Sequence, residues 1–114
     1  MATTLSIAVV DGNHDRALQH AGLDIERLGD AVPDGPFVLR HAPGRDALGH
    51  VICGHLHPVL KLPGQTRTPA FWLQSGCTVL PAFSAFTGGQ PLRLRDGEAA
   101  VLCNGHALVG IGAL

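Results

Sequence analysis

The chain has 114 residues, 46% hydrophobic and 15% charged, with a formal net charge of -1. That length suits one small domain, which would bury about 60–70% of its unfolded surface without needing disulfides. Near-neutrality leaves out a broad basic face gripping many phosphates, and no apolar run is long enough to span a bilayer, so the expected compartment is the cytoplasm.

In chain order, Leu5 to Val10 reads as a buried strand that runs into the loop Asp11-Gly12-Asn13. Asp15 is placed to cap a short helix over Arg16 to Ala21, ended by Gly22, with Asp24 to Leu28 as a further helical turn. Pro33-Asp34-Gly35-Pro36 predicts a turn before a strand over Phe37 to His41, and Pro43-Gly44 breaks that strand. His50 to Cys53 is a second strand that delivers Gly54-His55-Leu56-His57-Pro58. Short strand-like pieces follow at Val59 to Leu62, Pro69 to Leu73, Thr78 to Leu80, Leu92 to Arg95, Ala99 to Cys103 and Leu108 to Ile111. The pattern predicts one domain, α/β in front and mainly antiparallel β behind.

Histidine is the residue in surplus, seven against a single Lys and no Tyr. Asn13, His14 and Asp15 follow the first strand. Asn supplies a neutral oxygen suited to a hard metal ion, His a nitrogen that ligates or moves a proton, and Asp an acceptor that holds a His in one tautomer. The competing reading is an ordinary helix-capping turn. His55 and His57 stand two residues apart, and on extended backbone their imidazoles would point to one side; the alternative is a pair of solvated loop histidines. His41 closes another strand, a position more often structural than ligating. His20, His50 and His106 read as surface or part-buried residues, and Trp72 as packing against the sheet. Cys53, Cys77 and Cys103, widely spaced among apolar neighbours, read as reduced core thiols. They lack zinc-ligand spacing.

Taken in order, Gly12-Asn13-His14-Asp15, His41 and Gly54-His55-Leu56-His57 resemble the later motifs of the calcineurin-like metallophosphoesterases. Arg67-Thr68-Pro69-Ala70-Phe71-Trp72 and the segment Leu80 to Gly89 sharpen the resemblance to the bacterial DNA-ligase-associated members. It implies an α/β fold: a partial metallophosphoesterase β-sandwich flanked by helices, with its first strands missing and residues 1–114 forming a single incomplete domain. It also implies that Asn13, His41 and His55 ligate one divalent ion and His57 another. His14, held by Asp15, would then face the substrate and protonate the leaving alkoxide. Manganese leads the expected metals, with Fe, Zn and Mg as alternatives. The implied reaction is phosphodiester hydrolysis, of nucleic acid in DNA repair, with a DNA ligase and a helicase as partners.

The family's earlier motifs, Asp-x-His and Gly-Asp-x-x-(Asp/His), are not among the residues before Gly12. Asn13, His41, His55 and His57 are neutral ligands, so two adjacent divalent ions would lack the bridging carboxylate. A mononuclear site on Asn13, His41 and His55 is the expectation for this chain, since Asp11 and Asp46 are not at family metal positions. Either Met1 is internal to a longer reading frame or the gene is degenerate, and an uncovered sheet edge would then favour self-association. The alternative to an enzyme is a non-catalytic metal- or partner-binding remnant.

Overall fold

The computed structural model describes residues 6–12, 25–64, 66–83 and 89–112. A two-stranded parallel sheet joins β1 (Ala8–Val9) to β2 (Glu26–Arg27). The main sheet holds β3 (Ala31–Asp34), β4 (Phe37–Arg40), β5 (His50–Cys53), β6 (Pro58–Leu60), β7 (Thr68–Gln74), β8 (Cys77–Val79), β9 (Gln90–Pro91), β10 (Ala99–Cys103) and β11 (Leu108–Gly112). Its order is β11-β10-β7-β8-β5-β4-β3, with β6 pairing β7 and β9. Strands β4, β5 and β8 run parallel, while β3 against β4, and β7 against β6, β8 and β10, are antiparallel.

The expected α/β fold, a β-sandwich flanked by helices, is overturned: the described residues form strands and loops, with no helix among them. The crossovers explain it. The link from β4 to β5 is residues 41–49, and the path from β5 to the parallel β8 is filled by the β6–β7 hairpin, so strands occupy the place of a crossover helix. The helical turn expected from Asp24 to Leu28 is also corrected, because Glu26 and Arg27 pair with Ala8 and Val9. Ala31–Asp34, read only as the approach to a turn, is a strand closed on β4 through Gly35, whose φ of 58° suits a tight hairpin. The strand expected over Leu92 to Arg95 is a loop; Leu92 is buried there through one ladder-like bond, from its N–H to the Val59 carbonyl at 2.9 Å. The helix expected over Arg16 to Ala21 lies outside the described residues.

The core follows the two-residue period of strands. Val51 and Cys53 of β5 are buried while His50 and Ile52 are half-buried. In register, Val51 sits beside Val38 and Cys77, and Cys53 beside Val79, so one face of β4, β5 and β8 gathers a single cluster. A second cluster centres on Ala70, Leu92, Ala100 and Leu102. Trp72 packs on both clusters and donates its indole N–H to Glu98 Oε1 at 3.2 Å. On the opposite face, His50 Nε2 meets Thr78 Oγ1 at 2.8 Å, a cross-strand polar pair that accounts for this histidine. The sheet path ends at β11, where Leu108 and Val109 are exposed, and at β3. No helix among the described residues is long and apolar enough to cross a membrane.

Candidate functional site

Because β4 and β5 are parallel neighbours, both deliver their C-terminal ends to one edge of the sheet, His41 after Arg40 and Gly54-His55 after Cys53. The two ends are tied: the Gly54 N–H donates to the His41 carbonyl at 3.0 Å. Their side chains meet as well. His41 Nε2 and His55 Nδ1 are 2.9 Å apart, with ring centroids 4.7 Å apart and the rings inclined by 66°. His41 is half-buried and His55 exposed.

The loop that carries His55 is wound tightly. The Leu56 N–H reaches back to the Gly54 carbonyl at 3.0 Å, closing a three-residue γ-turn with His55 at its centre and φ at 75°. That is the strained hand of the turn. His57 is also left-handed, with φ at 52°, and its carbonyl accepts from the Gln90 N–H at 3.0 Å. The extended backbone expected for the His55 and His57 pair is therefore corrected, and with it the inference that spacing alone aims both imidazoles one way. Each left-handed non-glycine residue costs about 1–3 kcal/mol, and such conformations gather where a side chain has to be aimed.

An open pocket of about 280 Å³ lies against His41, with Asp11, Asp30 and Arg40 in its wall. Asp11 accepts from Arg27 Nε at 3.0 Å. The chain reaches this pocket at Asp11 and Gly12, directly before Asn13. Asn13, His14 and Asp15, three of the expected site residues, lie outside the described residues, as does His20. Asp46, weighed as a stand-in ligand, accepts from the Leu48 N–H at 2.9 Å and braces the turn before β5. Arg40 and Asp30 are the pocket residues that sequence reasoning missed. The one signal for Arg40 was its place directly before His41, at a strand end.

The His41–His55 pair fits a metal ion by its spacing. Two imidazole nitrogens on one ion, each about 2.1 Å from it and about 90° apart, lie about 3 Å from each other, and these nitrogens are 2.9 Å apart. The same distance serves a hydrogen bond between two neutral rings, one donating and one accepting. Among the described residues, no group of three or more His, Cys, Asp or Glu side chains converges as metal ligands do. The spacing of the pair is compatible with either arrangement.

Just before the loop, Cys53 is buried with its Sγ 3.7 Å from Cys77 Sγ. Burial, with Cys77 beside it, pushes the thiol from 9.0 up to about 12, against the opposing pull of Arg40. It stays protonated at neutral pH and acts as a packing group. All three cysteines are free.

The fold is similar to that in the crystal structure of Pseudomonas putida nuclease MPE, with a TM-score of 0.78 and 29% sequence identity. The match covers 94% of this chain and 54% of that one, so this chain spans about half the nuclease's length. No protein-family model matches the sequence, and no curated protein matches it.

Proposed function

We propose that this chain carries part of the hydrolytic site of a calcineurin-like metallophosphoesterase and that its substrate is a phosphodiester, nucleic acid included. The observation that carries the reading is the approach of His41 Nε2 to His55 Nδ1 at 2.9 Å, from adjacent parallel strand ends, beside an open pocket. The similarity in fold to a nuclease supports it. His41 and His55 would hold a divalent ion, Mn²⁺ first among the candidates, with Asn13 as a third ligand and His57 toward a second ion. Such an ion supplies Lewis acidity toward a phosphoryl oxygen.

The chain's own groups do the rest. The γ-turn fixes the direction of the His55 ring, and the bond between the Gly54 N–H and the His41 carbonyl keeps the two rings on one edge. On the sequence resemblance, His14 would donate the proton that the leaving alkoxide needs, with Asp15 as its partner. Association with a DNA ligase and a helicase belongs to the same reading and rests on the sequence resemblance alone.

The test begins with binding. Titration of the purified chain with Mn²⁺, followed by electron paramagnetic resonance, should show one bound ion that is lost in His55→Ala and in His41→Ala. Hydrolysis of bis(p-nitrophenyl) phosphate in Mn²⁺ should fall to the metal-only background in both variants. A wild-type chain that binds Mn²⁺ without hydrolysing the diester would favour the non-catalytic metal-binding remnant. Mn²⁺ binding that survives both substitutions would remove the His41–His55 site altogether.

A further inference from the structure

We propose that Arg40 is a substrate-binding residue that takes the non-bridging oxygens of a phosphate group in the pocket beside His41. The inference rests on the reading of the His41–His55 edge as the hydrolytic site and adds the group that holds the anion there.

Three observations carry it. Arg40 lines the pocket together with His41, its neighbour in sequence, so the two residues border a common space. The guanidinium is also held in place. A Cβ added at Gly44 would come within 2.7 Å of Arg40 Nη1 and 3.2 Å of both Cζ and Nη2, so the fork lies flat against the bare Cα of Gly44. The Pro43-Gly44 step that ends the strand in the sequence thus also makes the bed for this side chain. Finally, no ion pair to Arg40 occurs among the described residues, and Asp11, a carboxylate of the pocket wall, is already paired with Arg27. Asp30 is exposed at the rim, where solvent screens it.

A planar fork, half-buried and already ordered by packing, is the arrangement that takes two phosphate oxygens at once and loses little entropy in doing so. A Lys at this position would supply the charge but not the fork. The chain's near-neutral balance fits this picture, because one aimed guanidinium grips one phosphate where a basic face would grip many.

The probe is inorganic phosphate, titrated into the purified chain while the arginine Nε–Hε resonances are followed by NMR, with the Arg40 signal identified by its loss in Arg40→Lys. The Arg40 resonance should shift and saturate. Arg40→Lys should weaken phosphate binding by about tenfold. Gly44→Ala, which keeps the arginine but fills its bed, should weaken binding in the same direction. With bis(p-nitrophenyl) phosphate and Mn²⁺, Arg40→Lys should lower kcat/KM by a similar factor. An Arg40 resonance that stays still at saturating phosphate, or equal affinity in Arg40→Lys, overturns the proposal even where His55→Ala abolishes hydrolysis. An Arg40 resonance that responds while wild type and His55→Ala hydrolyse alike upholds phosphate binding and sinks only the hydrolytic reading.

Discussion

Replacing His55 by Gly, with His55→Ala as the reference, measures what the γ-turn costs the fold. Both variants lose the imidazole and its contact with His41, so packing losses cancel between them. They differ in the backbone. Ala must still sit at a φ of 75°, whereas Gly adopts that angle freely. A left-handed L-residue costs about 1–2 kcal/mol, and the greater freedom of unfolded Gly returns about 0.5–1 kcal/mol of that. The His55→Gly chain should therefore be more stable than the His55→Ala chain by about 1 kcal/mol. In urea, with a slope of about 2 kcal/mol per molar, that moves the midpoint up by about 0.5 M at unchanged slope. Both variants should lack Mn²⁺-dependent hydrolysis, so the strained residue would be one that stability alone disfavours and the site requires. A His55→Gly midpoint equal to or below that of His55→Ala would show that the turn stores no strain and that backbone strain plays no part in aiming His55.

Two further outcomes follow from the core. Below pH 9 the Cys53 thiol is protonated in folded and unfolded chains alike and stability does not depend on it. Above pH 9 only the unfolded chain releases the proton, up to the folded value of about 12. Stability should then fall as pH rises through this range, and urea midpoints should decline less steeply in Cys53→Ala; parallel declines would refute the assignment. At Gly89, an added Cβ would clash with both methyls of Val59 and lie 3.2 Å from the His57 carbonyl oxygen. Gly89→Ala should lower stability by about 1–3 kcal/mol, and Val59→Ala in the same chain should restore part of the loss, as read by calorimetry.

How far the sequence reaches differs from element to element. His50–Cys53 and Ala99–Cys103 are strands with the bounds that their apolar runs suggest, because a short apolar run between polar or turn residues suits a buried strand. Glu26–Arg27 misled, since helix-forming residues next to a Gly carry no sign of the distant Ala8 and Val9 that recruit them into a ladder. The histidine motif likewise named residues without their geometry. His55 and His57 could be picked out by type and spacing, but their left-handed backbone depends on the Gly54–Leu56 hydrogen bond and on Gln90 arriving from β9.

By itself, then, the sequence determined the residue types: histidines at strand ends, cysteines in apolar settings, and Gly and Pro breaks between short strands. Tertiary structure alone decided that β4 and β5 are parallel neighbours, and hence that His41 and His55, fourteen residues apart, meet at 2.9 Å. It also decided that Asp11 and Asp30 join Arg40 and His41 around one pocket. The physical reason is that strand order and direction are set by long-range register between buried faces, here Val38, Val51, Cys77 and Val79, and no local stretch of chain contains that information.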